Sequence, residues 1–202
     1  MKVVALGDSL TVGESDFPAS DEYASYPTHL ETLAKEHLRN LQSDLKINVL
    51  NKGICGELTS GMLERFSNDV SNEEADYVII LGGANDIGWG LDTSKIAHNL
   101  TSMYDLAQGD NIVPVACSVP SILGLDDLIP PRVSLNRIIQ VEAEKRNLTF
   151  LDFFKATADP HTNRLSENYS ADGLHLNTEG YREMGRFAFD GWLRPLLERP
   201  LG

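Results

Sequence analysis

The sequence predicts one three-layer α/β/α sandwich built on a parallel sheet. Three observations carry that reading. Short apolar, mostly β-branched runs recur along the chain, segments with helical apolar spacing separate them, and no linker, repeat or low-complexity stretch interrupts the alternation. Strands that are apolar throughout are buried on both faces, and helices between consecutive strands let those strands run parallel with right-handed crossovers.

The first strand is expected at residues 2–6 (KVVAL), with Ser9 just past its carboxyl end. Tyr26-Pro27 leads into a helix carrying Leu30, Leu33, Ala34, Leu38 and Leu41. A second strand at 46–50 (KINVL) is followed by the loop Asn51-Lys52-Gly53-Ile54-Cys55-Gly56, then by helical spacing of Leu58, Met62, Leu63 and Phe66. The third strand, 77–81 (YVIIL), runs into Gly82-Gly83-Ala84-Asn85-Asp86. A helix with Ile96, Leu100, Met103, Tyr104 and Ala107 on its apolar stripe comes next. The fourth strand is expected at 112–117 (IVPVAC), and Val133, Ile138, Val141 and Ala143 mark the helix after it. The fifth lies at 148–151 (LTFL). From Asp152 to His175 no strand is evident, a stretch too long for a plain connector and therefore suggestive of function. Thr178-Glu179-Gly180-Tyr181 opens a last helix with Met184, Phe187, Ala188 and Trp192.

Composition bounds the partners. The 202 residues suit a single domain, 1–202, with one substantial core. A net charge of -13, from 17 Lys and Arg against 30 Asp and Glu, argues against nucleic acid or anionic lipid as a main partner. No apolar run approaches the roughly 18 residues of a spanning helix, so no membrane insertion is expected. The opening residues lack the length and cleavage site of a secretory signal. A cytoplasmic location is the expectation, with export of a mature form left open. Cys55 and Cys117 have neither the number nor the spacing of a zinc site or disulfide framework, and free thiols are expected.

In a parallel sheet the loops after the strands share one edge, where ligands bind. Ser9, the glycines at 53 and 56, Asn85, and the pair Asp172 and His175 all follow strands in this way. A serine hydroxyl is a poor nucleophile until an adjacent base takes its proton, and His175 can be that base. Asp172, three residues earlier, can accept from the other ring nitrogen and fix the tautomer. The N–H of Ser9, the N–H of Gly56 and the side-chain amide of Asn85 suit the oxyanion of a tetrahedral intermediate. Such acyl transfer calls for no metal and no cofactor.

These residues carry a resemblance. Gly7-Asp8-Ser9-Leu10, the Asn51 to Gly56 stretch, Gly83-Ala84-Asn85-Asp86 and Asp172-Gly173-Leu174-His175 stand in the order found in SGNH hydrolases of the GDSL esterase/lipase family. His175-Leu176-Asn177 followed by Gly180-Tyr181 also resembles that family's entry into its last helix. The resemblance implies a flavodoxin-like sandwich with strand order 2-1-3-4-5 and hydrolysis of small-molecule carboxylic esters or thioesters. It also implies Ser9 as nucleophile, Gly56 and Asn85 as oxyanion donors, Asp172 as acid and His175 as base. Gly53 competes with Gly56 and is placed second because it lies nearer the strand.

Each residue also has a plainer reading. Ser9 or Asn85 can cap a helix, and Gly56 can serve a turn. Asp86 is expected to be structural, pairing with backbone around the Ser9 loop. His29, His37, His98 and His161 have no motif around them, and only His161 lies close in sequence to the acid–His pair. Two other function classes remain. The same fold and site serve carbohydrate O-deacetylases. A non-catalytic flavodoxin-like module would cradle phosphate on residues 9–13, which leaves Asp172, His175 and Asn85 without a role. Pocket walls are expected from Phe17, Tyr23, Trp89, Leu91, Ile122, Leu123 and Leu128, forming an open cleft for short acyl chains. Oligomeric state is not legible.

Overall fold

The computed structural model describes residues 1–13 and 25–199. Strands β1 (Lys2–Gly7), β2 (Asn48–Gly53), β3 (Tyr77–Leu81), β4 (Val113–Cys117) and β5 (Thr149–Leu151) form one sheet of order β2-β1-β3-β4-β5. Every pairing is parallel. The expected architecture and strand order are therefore observed. Helices follow in chain order: α1 (Ser9–Val12), α2 (Tyr26–Asn40), α3 (Thr59–Glu64), α4 (Phe66–Asp69) and α5 (Ala84–Gly88). The chain continues with α6 (Thr93–Gly109), α7 (Ile129–Lys145), α8 (Phe153–Thr157), α9 (Thr178–Ala188) and α10 (Arg194–Leu197). α2 packs on α9 and α9 on α8 in one helical layer, while α3, α6 and α7 pack successively in the other.

Burial explains which strands were legible. Val3, Val4, Ala5 and Leu6 of β1 and Ile79, Ile80 and Leu81 of β3 are all buried, because these strands lie inside the sheet. β2 is an edge strand and only half-buried, so polar residues are tolerated in it. Its ladder with β1 runs from Lys2 opposite Asn48 to Gly7 opposite Gly53. The strand thus ends three residues later than the 46–50 run suggests, and Asn51, Lys52 and Gly53 are strand rather than loop. The 152–175 connector contains α8, the 3-10 turn Glu167–Tyr169 and two isolated antiparallel bridges, Ala158 with Leu165 and Ser170 with Leu176. A helix as short as α8 shows no periodicity to read, although Asp152 caps it by accepting from Lys155 N at 3.1 Å. No helix of the described residues is long and apolar enough to cross a membrane.

Candidate active site

The site begins where β1 stops. A Cβ at Gly7 would stand 2.6 Å from the Leu81 carbonyl oxygen and 2.2 Å from Thr11 Oγ1, so only glycine lets the chain turn this tightly beside β3. Asp8 takes the capping role, its Oδ1 accepting from Leu10 N at 2.9 Å. Ser9 then falls at the first position of α1. Its N–H has no acceptor within the helix, and its hydroxyl is free of capping duty. The helix is held down on β2 from the far side. Gly53 admits it, since a Cβ there would sit 2.5 Å from Val12 N, and Asn51 Nδ2 donates to the Thr11 carbonyl at 2.8 Å.

His175 reaches Ser9 from the opposite end of the chain. Its Nε2 lies 3.1 Å from Ser9 Oγ and its Nδ1 2.8 Å from Asp172 Oδ2. The other oxygen of Asp172 accepts the backbone N–H groups of Leu174 at 2.9 Å and His175 at 2.7 Å. One carboxylate therefore shapes the turn and orients the ring together. Burial alone would raise the Asp172 pKa, but the ring and backbone hydrogen bonds outweigh it and hold the group at about 2. The loop is pinned to the segment after β4. Leu123 N donates to the Gly173 carbonyl at 2.8 Å, and Gly173, at φ +95°, approaches Leu123 too closely to carry a side chain.

The expected oxyanion donors are distributed over three loops. Asn85 lies in the first turn of α5, whose N-cap is Gly83 at φ +113°, so the reading of Asn85 as a cap is set aside. Its Nδ2 donates to the Glu57 carbonyl at 3.0 Å and stands 3.5 Å from Asp8 Oδ2. That fixes the amide orientation and brings it to the residue preceding Ser9. Gly56 is exposed in the turn after β2, at φ +75°, and its peptide adjoins the Glu57 carbonyl that holds Asn85. The N–H of its competitor, Gly53, donates to Asn51 Oδ1 at 3.0 Å.

Asp86 corrects one expectation. It is buried, yet it binds no backbone of the Ser9 loop. It accepts from Thr59 N at 3.0 Å and from Thr59 Oγ1 at 2.6 Å. Helical geometry turns it away from its neighbour Asn85 toward α3, whose own N-cap residue, Leu58, supplies no side-chain acceptor. Asp86 is thus a cap donated from another element. Asp86→Ala should lower stability by about 1–3 kcal/mol, because Thr59 would keep a buried donor without a partner. Thermal unfolding of the variant checks this, and an unchanged melting temperature would contradict it.

Two residues shape the site in ways the sequence reading did not assign: Arg65, outside every motif, and Asp8, within the first motif but given no role there. Arg65 binds Glu57 through both carboxylate oxygens, at 2.8 Å from Nε to Oε1 and 2.6 Å from Nη2 to Oε2. It also donates to the Lys52 and Gly7 carbonyls at 2.8 and 3.2 Å, tying the Gly56 turn to the ends of β1 and β2. Asp8 is fully buried, and desolvation raises its pKa to about 7; the Leu10 N–H opposes that shift and the Asp86 charge adds to it. A carboxyl whose folded pKa exceeds its unfolded value stabilises the fold below about pH 3.8 and loses that contribution as pH rises through about 7. Asp8→Asn, which keeps the cap, should therefore gain stability relative to wild type at pH 8 compared with pH 4. Parallel melting curves at the two pH values test the sign.

Of the expected pocket walls, Phe17 and Tyr23 lie outside the described residues, and Ile122 is buried. Trp89 is 79% exposed and Leu91 41%. His37 pairs with Glu198 at 3.2 Å, and His98 and His161 are exposed. Cys55 is exposed, Cys117 is buried and both are free, as expected.

Residues 5–183 match the model of the GDSL-like lipase/acylhydrolase family. An acetylxylan esterase from Geobacillus stearothermophilus is 24% identical over 205 residues, spanning 92% of this chain and 90% of that protein. The structure of the lipase/acylhydrolase from Enterococcus faecalis superposes with a TM-score of 0.73 at 26% identity, covering 94% of this chain and 93% of that one. A catalytic mutant of an acetylxylan esterase from G. stearothermophilus gives a TM-score of 0.78 at 20% identity, again covering 94% and 93%, a likeness of fold.

Proposed function

The chain belongs to the GDSL-like lipase/acylhydrolase family, and from that premise we propose that it hydrolyses carboxylic esters of short acyl chains through a Ser9–His175–Asp172 triad. The observation that carries the assignment is the unbroken hydrogen-bonded line from Ser9 Oγ to His175 Nε2 and from His175 Nδ1 to Asp172. His175 takes the hydroxyl proton as Ser9 Oγ bonds to the acyl carbon, and Asp172 stabilises the imidazolium so formed. The carbonyl oxygen becomes an oxyanion held by the N–H groups of Ser9 and Gly56 and by the Asn85 amide. Collapse breaks the bond to the alcohol oxygen, which leaves with the proton from His175 and an acyl group on Ser9. Water attacks that acyl group with His175 again as base, releasing the carboxylic acid and restoring the hydroxyl.

Asn85 provides a graded test. Asn85→Ala should lower kcat by roughly 10²–10³ with little change in KM, because an oxyanion bond strengthens only in the transition state. An effect confined to KM would assign Asn85 to substrate binding instead.

A second reading, an O-acetyl group on a carbohydrate, is favoured by the acetylxylan esterase that matches along nearly the whole chain. Assay of a chain-length series of simple esters beside acetylated xylo-oligosaccharides separates the two. Fastest turnover on the sugar acetates favours the second reading, and a preference for simple short-chain esters favours the first. Absence of turnover on every ester would overturn both.

A further inference from the structure

We infer that the ion pair of Arg65 and Glu57 positions the oxyanion donors, so that these two side chains act on the reaction without touching the substrate. The inference rests on the ester-hydrolysis reading above and adds two positioning residues to it. Arg65 grips the Glu57 carboxylate from Nε and Nη2 at 2.8 and 2.6 Å, and the two side chains are only 14% and 12% exposed. Nη2 also donates to the Lys52 and Gly7 carbonyls at 2.8 and 3.2 Å, and Nη1 to Asp69 at 2.7 Å. One planar guanidinium thus meets the end of β1, the end of β2 and the turn between β2 and α3. Gly61 makes room for the carboxylate, since a Cβ there would stand 3.1 Å from Glu57 Oε1.

Each candidate donor is reached through this pair. Asn85 Nδ2 commits one of its two hydrogens to the Glu57 carbonyl at 3.0 Å, which constrains the direction of the other. Gly56 immediately precedes Glu57, and nothing packs on its α-carbon: an added Cβ would meet no atom within 4 Å. The Gly56 turn is therefore held from its ends. At one end Ile54 N donates to the Gly7 carbonyl at 3.0 Å, and at the other Glu57 is gripped by the guanidinium that donates to the same carbonyl. Ser9 follows Gly7 by two residues, so all three donors are referred to one fixed group. Donors of this kind act by standing in advance where the oxyanion forms, and a small displacement costs rate rather than substrate affinity. A lysine in place of Arg65 would keep the charge. Its single nitrogen cannot serve both carboxylate oxygens and two carbonyls in one plane.

The test is steady-state kinetics on p-nitrophenyl acetate, with circular dichroism to count folded protein. Arg65→Lys should lower kcat by roughly 10–10²-fold and leave KM within about twofold, because the donors are misplaced and the substrate contacts are not. Glu57→Gln, which keeps the side-chain shape and the backbone carbonyl, should lower kcat by about tenfold and carries the test should Arg65→Lys not fold. In an Asn85→Ala background either substitution should cost less than it does alone, since the amide it misplaces is already gone. A pair that only braces the fold would lower the melting temperature and nothing else. A kcat per folded molecule unchanged in both variants overturns the inference, as does a loss that multiplies in full with that of Asn85→Ala, and ester hydrolysis stands in either case. If the wild-type protein leaves the ester uncleaved, or Ser9→Ala cleaves it equally fast, hydrolysis at this site and the positioning role fail together.

Discussion

Ser9→Ala is expected to abolish ester hydrolysis, with kcat falling by about 10⁶ when the nucleophile of a cooperating triad is removed. The fold should be unaffected. Asp8, rather than Ser9, caps α1, and the hydrogen bond recorded for the Ser9 hydroxyl is the one to His175 at 3.1 Å. Any residual rate would come from binding and from the oxyanion donors, of which the Ser9 N–H survives the substitution. Steady-state kinetics on a chromogenic acetate, with circular dichroism as the folding control, decide the matter. Retention of more than about a tenth of wild-type kcat would assign the nucleophile to another residue.

Asp172→Asn should cost about 10⁴ in kcat if the imidazole depends on this carboxylate for its tautomer. The geometry supplies the reason. Asp172 Oδ1 shapes the turn through the N–H groups of Leu174 and His175, a task that an amide oxygen can perform equally well. The remaining amide nitrogen then faces His175 Nδ1 as a donor, which forces the ring proton onto Nε2 and removes the base from Ser9. The loss should therefore appear in kcat with the turn intact. A loss of only about tenfold would show that the site works as a Ser–His dyad, with the ring oriented by other means. The acid side of the stability profile follows from the same carboxylate. Its folded pKa of about 2 lies below the ordinary 3.8, so its contribution is present above pH 3.8 and is lost as pH falls through about 2. Asp8 acts in the opposite direction and in a separate window, between pH 3.8 and about 7. The Asp172→Asn variant should alter only the lower window.

The interior strands were readable because burial on both faces demands apolar residues throughout, as in the Val3–Leu6 run and in Tyr77–Leu81. The sheet order 2-1-3-4-5 and the candidate residues Ser9, Gly56, Asn85, Asp172 and His175 were reached from four short motifs in series, each weak alone. β2 was misplaced by periodicity. At the sheet edge its end is set by pairing with β1 rather than by hydrophobicity. Sequence ranked Gly56 ahead of Gly53 only by distance from the same apolar run. That the Gly53 N–H is engaged, donating to Asn51, is visible only in the structure.

The sequence by itself therefore determined the fold class, the chemistry on offer and the residues that could supply it, since residue type and the spacing of apolar positions are local properties of a chain. The tertiary structure decided which of these groups meet. Ser9 and His175 are 166 positions apart and become hydrogen-bonded neighbours only because parallel strands deliver their following loops to one edge. The same edge gave Asp86 to α3 instead of to the Ser9 loop, recruited Arg65 to hold the Gly56 turn, and buried Asp8 so deeply that its carboxyl titrates near neutrality. Desolvation, hydrogen-bond occupancy and helix capping across elements depend on what packs alongside, and no local pattern in the chain encodes the neighbour.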